Sequence, residues 1–246
     1  MKLNKYLFST FIAASTLLIS SCSDFLDRSP QGQFTEDDNP NALVNGKIYN
    51  VYTMMRSFDI TAGTPAIAIH YLRSEDSEKG SIPSDGSDVA EMYDDFLYTP
   101  TNGLLGSYWG KNYAIIYQCN DILDAIAEKE TAGQTETEDI INKGEASFFR
   151  AYCYFELLQA YGDLIITRTP LDIDSPEMQK ARNPRTEVAD FIIDDLKEAA
   201  KLLPVDKAIS SSDEGRLSCE AALAFLSRVA LYEGTWEKFH NGSQNT

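Results

Sequence analysis

The sequence predicts an all-α fold, a superhelix of tetratricopeptide-type helical repeats with long irregular loops, and three observations carry that reading. Beyond Tyr108 the apolar residues recur at steps of three and four rather than two, the spacing of one helix face. A shift of 78 positions superposes Ala146 on Ala224, Arg150 on Arg228 and Tyr154 on Tyr232. That shift is close to twice the roughly 34-residue period of repeats in which each helix buries its neighbour's apolar face. Between 59 and 106, Gly63, Pro65, Gly80, Pro83, Gly86, Pro100, Gly103 and Gly106 break any long period and point to an irregular excursion with short helices at most.

At the amino terminus Lys2 and Lys5 precede an apolar run from Tyr6 to Ile19, too short to span a bilayer as a helix and suited to a secretory leader. The run ends in Ile19-Ser20-Ser21-Cys22, an aliphatic residue and two small ones before a cysteine, which resembles the lipobox of bacterial lipoproteins. Residues 1–21 therefore read as a lipoprotein signal peptide and Cys22 as the lipidation site. Several acyl chains there, palmitate among them, would give the firm anchor that one chain does not. Residues 22–40 are rich in Asp, Gln, Gly and Pro without a period and read as an extended anchor arm, and 41–246 as the helical domain.

Within that domain a helix is expected from about Ala42 to Arg56. A second runs from Tyr108, where Trp109, Tyr113, Ile116, Leu123 and Ala127 form a stripe with Asn120 set into it. The third, about Thr137 to Tyr161, carries Phe148, Ala151, Tyr152, Phe155 and Leu158 on one face and Phe149, Cys153, Leu157 and Ala160 on another. It must be packed on nearly all sides, and Gly162 ends it as a left-handed cap. Pro184-Arg185-Thr186 opens the fourth, in which Val188, Ile192, Leu196, Ala199 and Leu203 make a stripe that Pro204 stops. Ser218 caps the last, Ala221 to Tyr232, and Leu231 to Lys238 reads as the turn between the two helices of a repeat.

The charge balance, 21 Lys+Arg against 38 Asp+Glu and a net −17, repels phosphate backbones and excludes a nucleic-acid partner. His70 and His240 have no cysteine or second histidine at a ligand spacing, so no metal and no cofactor is expected. The acidic doublets Asp37-Asp38, Asp94-Asp95 and Asp194-Asp195 give no pair held across a glycosidic bond; the last two residues, adjacent on a helix, point in different directions. With no phosphate loop and no nucleophile elbow, the chain does not read as an enzyme. Cys119, Cys153 and Cys219 read as packing thiols, with a pairing between two of them left open. Arg150, among aromatics, reads as a buried, paired arginine rather than a ligand clamp.

Several separated segments together resemble the SusD/RagB family of nutrient-binding lipoproteins of Bacteroidota. They are Cys22-Ser23-Asp24-Phe25-Leu26-Asp27, Asp76-Ser77-Glu78-Lys79-Gly80, and Trp109 through Tyr113 to Asn120. Further along come Phe149-Arg150-Ala151-Tyr152 through Tyr161-Gly162-Asp163, Pro184-Arg185-Thr186 to Asp195-Leu196, and Gly215-Arg216-Leu217 to Ala221-Ala222. The chain departs from the family at Ile165, where members often have proline. The resemblance covers the amino-terminal half of family members, so the expectation is a truncated SusD-like superhelix, incomplete at the carboxyl end, with apolar faces of Ala221 to Phe239 uncovered.

The resemblance implies a lipid-anchored, surface-exposed outer-membrane protein that captures an oligosaccharide and delivers it to a SusC-type TonB-dependent transporter. The alternative is a helical-repeat scaffold lipoprotein that binds only protein partners. Sugar recognition needs flat aromatic faces for the apolar side of a pyranose and amides or carboxylates for its hydroxyls. Tyr108, Trp109 and Asn112 supply both within one turn and a half, with Tyr71 and Asp76 on the preceding loop as further ligand-binding candidates. The alternative place for Trp109 is in the core, as the first residue of its helical stripe.

Overall fold

The computed structural model describes residues 40–56, 64–78, 80, 93–101, 103–171, 174–175 and 179–240. The expected leader, Cys22 and the expected arm up to residue 39 lie outside the described residues. Among these, the long elements are helical: α1 Pro40–Met55, α2 Thr64–Ile67 continued by a π-helical turn Ala68–Leu72, α3 Gly103–Ala132, α4 Thr137–Tyr161, α5 Arg185–Leu202 and α6 Cys219–His240. The helices pack within the unit Val44–Thr246, α3 on α4, α4 on α5 and α5 on α6, the neighbour-on-neighbour order that a repeat stack requires.

α4 lies at the centre because it has no solvent face through its middle. Phe148, Phe149, Cys153, Tyr154, Phe155, Leu157 and Leu158 are all buried, on both faces of the helix. Its start is fixed by the Asp139 carboxylate, which accepts the Glu136 backbone N–H at 2.9 Å and the Lys129 ammonium at 2.6 Å. Gly162, at φ 73°, ends it. A glycine is also needed at 144, where a Cβ would stand 3.0 Å from Leu203 Cγ and 3.1 Å from Leu202 Cβ. That close approach seats the end of α5 on α4.

Two polar knots tie the stack. In the first, Arg216 donates to the Glu145 carboxylate at 3.0 and 2.9 Å and to Asn142 Oδ1 at 2.9 Å, while Tyr52 donates to Glu145 at 2.7 Å and accepts the Leu217 N–H at 2.9 Å. This joins α1, α4 and the loop before α6, with Gly215 at φ 95° turning the chain into it. In the second, Arg150 grips both oxygens of Asp195 at 2.7 and 2.8 Å and gives a third N–H to Asn120 Oδ1 at 2.8 Å. Desolvation lifts the Asp195 carboxyl above its ordinary range and the Arg150 guanidinium opposes the lift. Arg150 is thus buried and paired, as its aromatic setting predicts.

Two boundaries differ from the sequence expectation. α3 begins at Gly103, not Tyr108, because glycines at 103 and 106 sit in the first turns, where the N–H groups need no intrahelical partner. α6 runs through the expected turn at Leu231 to Lys238 and ends at His240. One interior glycine, Gly234, costs about 1 kcal/mol, and the Arg185 guanidinium, paired with Glu233 at 2.6 Å and 4.4 Å from the Trp236 ring, holds the helix across it. Leu223, Leu231 and Phe239 are exposed on α6. Cys119, Cys153 and Cys219 are free, the first two fully buried.

Candidate functional site

The heptad-like spacing of α3 puts Trp109, Tyr113 and Tyr117 on one face, four residues and about 6 Å of helix rise apart. Trp109 is half-buried and Tyr117 is 44% exposed. Facing this row is the segment that follows α4, and its backbone is held by α3 and α4 side chains. Tyr113 Oη donates to the Ile165 carbonyl at 2.9 Å and accepts the Ile165 N–H at 3.0 Å. Tyr154 Oη accepts the Thr167 N–H at 2.9 Å, and Asn120 Nδ2 donates to the Thr167 carbonyl at 3.1 Å. Ile165 has an N–H to give, which a proline at this place would lack.

Between the row and the segment lies a groove of about 320 Å³, lined by Trp109, Tyr113, Tyr117, Asn120, Thr167 and Leu171 among others. Aromatic rings and the 165–171 segment line it, and beneath them the polar groups of Asn120 and Thr167 are engaged with each other and with Arg150 and Tyr154. Burial pushes the Tyr113 phenol well above the usual tyrosine range, so it stays a neutral hydrogen-bonding group across physiological pH. The Trp109 ring packs on Tyr113 at 4.7 Å, meets Tyr161 edge-on at 5.1 Å and carries the Arg182 guanidinium 5.0 Å from its centroid. A ligand in the groove therefore meets the free Tyr117 ring and whatever part of Trp109 Arg182 leaves open. At Thr169 the groove adjoins a larger, charged cleft of about 760 Å³ that includes Arg168, Lys180, Glu187, Asp190 and Asp194. Asn120, through Arg150 and Asp195, couples the groove to the core knot.

The sequence-predicted residues do not form one site. Trp109 lines the groove, whereas Tyr108 and Asn112 are completely buried beside it. Asn112 gives its amide N–H to the Tyr108 carbonyl at 2.9 Å and keeps an enclosed Oδ1 without a partner among the described residues. The Tyr108 hydroxyl leads elsewhere, donating to Glu156 Oε2 at 2.7 Å with His70 Nε2 2.8 Å away, beneath the exposed Tyr71. Asp76 is exposed in the turn after the π-helical segment, its backbone N–H bonded to Ser74 Oγ. Tyr117, Thr167 and Leu171 were not singled out from sequence. Tyr117 was legible as the residue eight after Trp109; the other two come from an aperiodic segment.

Similarity to known proteins agrees with this architecture. A SusD-like family model described as "Starch-binding associating with outer membrane" matches residues 24–231. A SusD-like protein of Bacteroides ovatus is 26% identical over 92% of this chain and 39% of its own length, and SusD-like protein P2 of Formosa agariphila is 26% identical over 93% and 43%. This chain spans about two fifths of those relatives. Among solved structures, a laminarin binding SusD-like protein superposes with TM-score 0.64 at 24% identity over 80% of this chain and 40% of that one. Surface glycan-binding protein A from Bacteroides uniformis superposes with TM-score 0.66 at 17% identity over 82% and 44%. At those identities the structural likeness shows the fold, an all-α SusD-like superhelix.

Proposed function

We propose, from the premise that the chain belongs to the SusD-like family, that it holds an oligosaccharide along the Trp109 to Tyr117 groove. The observation that carries this is the exposed Tyr117 ring, in line with Trp109 and Tyr113 and facing the 165–171 segment across the groove. Aromatic faces cover the apolar side of a pyranose. Anchored through Cys22 in the outer membrane, the protein would present the glycan to a SusC-type TonB-dependent transporter. The relatives' names, one laminarin-binding and a family starch-binding, make glucans the first ligands to try.

The test is native-gel retardation in starch and in laminarin for the protein and its Tyr117→Ala variant. Retardation by at least one glycan, lost in the variant at an unchanged melting temperature, is the expected result. An unretarded wild type, or a variant retarded equally, refutes the groove assignment. The anchor has its own test: Cys22→Ser should abolish labelling by a clickable palmitate, and equal labelling would sink the lipobox reading.

A further inference from the structure

A second cavity, of about 200 Å³, shares no lining residue with the groove. Three helical elements build it: His70 and Tyr71 from the π-helical turn, Tyr152, Glu156 and Gln159 from α4, and Arg228 from α6. Glu156 is 7% exposed, and its Oε2 is taken by Tyr108 at 2.7 Å and by His70 Nε2 at 2.9 Å. Because the Tyr108 proton goes to the carboxylate, Nε2 faces two oxygens and carries the hydrogen that it donates. Glu156 is thus positioned as a fixed acceptor. Its Oε1 takes part in no hydrogen bond among the described residues, and Glu156 is one of the residues that line the cavity. A carboxylate so desolvated needs further donors.

At the mouth, Arg228 is exposed and forms no ion pair among the described residues, in a chain with far more acids than bases. Tyr71, 54% exposed, presents a ring, and Tyr152 a second half-buried one. A lone anion would be repelled by Glu156 and an apolar ligand would leave that carboxylate bare. What matches is a small molecule with adjacent donors and acceptors and one apolar face. The volume is below the roughly 300–1,000 Å³ of sites for drug-sized ligands, which suits one sugar ring rather than a chain.

We propose that this cavity is a separate site for a single pyranose residue, whose hydroxyls donate to Glu156 and accept from Arg228 and Gln159, with the ring's apolar face against Tyr71. The class of ligand rests on the glycan-binding reading, but the site is independent of the Trp109 groove. The experiment is saturation-transfer NMR titration of the protein with the methyl glycosides of glucose, galactose, mannose and xylose. At least one should give transfer. Measured in a Tyr117→Ala background so that the groove does not contribute, Arg228→Ala should weaken it about tenfold, the loss of one charge-assisted hydrogen bond, as should Tyr71→Ala. Both variants change exposed side chains, so their melting temperatures should match wild type. Absence of transfer from all four glycosides, or titrations unchanged in Arg228→Ala and Tyr71→Ala, overturns the site. Glycoside binding that survives when the glycan gels show no retardation would leave this site standing and the groove rejected.

Discussion

Arg150 on α4 and Arg228 on α6 occupy the same register of two helices related by the 78-position shift, and the stack treats them in opposite ways. Arg150 is buried, with Asp195 and Asn120 taking three of its N–H groups. Arg228 is exposed at a cavity mouth. The contrast recurs one turn on, where Cys153 is fully buried and its counterpart Leu231 is 73% exposed, while Gly144 and its counterpart Ala222 are both buried. A helix flanked on both sides turns its polar residues into structure. A helix flanked on one side among the described residues leaves them exposed.

The comparison breaks most visibly if Arg150 proves dispensable. Arg150→Ala strands the buried Asp195 carboxylate and should cost about 3–5 kcal/mol, measured by urea unfolding. Arg150→Met with Asp195→Leu should recover most of that, because neither charge is then left buried alone. Gly144→Ala should cost about 1 kcal/mol net by the same measurement, because the strain of displacing Leu202 and Leu203, about 1–3 kcal/mol, is offset by about 1 kcal/mol of helix propensity gained. A neutral result would mean that α5 sits less tightly on α4 than its contacts indicate.

Thiol chemistry sharpens the contrast further. Burial pushes the Cys119 thiol up to about 12 and Cys153 well above its ordinary value. Both therefore remain protonated and enclosed from pH 6 to 9, and iodoacetamide should label neither in the native protein, nor more of either as the pH rises through that window. An introduced Leu231→Cys, at the position matching Cys153, should be labelled readily; protection of that thiol would show α6 to be covered in solution. The smallest stability effect belongs to Arg228→Ala, expected within about 0.5 kcal/mol of wild type because the side chain is exposed. A larger loss would make Arg228 a second structural arginine.

Much of the fold is legible in the residues. Thr137 to Tyr161 reads as a helix packed on all sides because its apolar residues occupy two faces, and Gly162 ends it where a residue of positive φ is needed. The start of α3 and the end of α6 read less well, since glycines at 103, 106 and 234 look like breakers until the cost of each is weighed against the turns and ion pairs around it. In the candidate site, Trp109 and its row follow from helical spacing. Tyr108 and Asn112, beside it in sequence, are turned about 100° per residue around the same helix and end up inside.

The sequence by itself determined the helical class, the acidic balance and the family, because these depend on composition, period and local motif. Which face of each helix meets water was decided by the tertiary structure. The 165–171 segment has no period, so only its anchoring by Tyr113, Asn120 and Tyr154 makes it a groove wall. Glu156 lies 86 positions from His70 and 72 from Arg228 along the chain. Only the stacking of α4 against its neighbours brings the three to one cavity, because burial is a property of what lies across from a residue and not of what lies next to it.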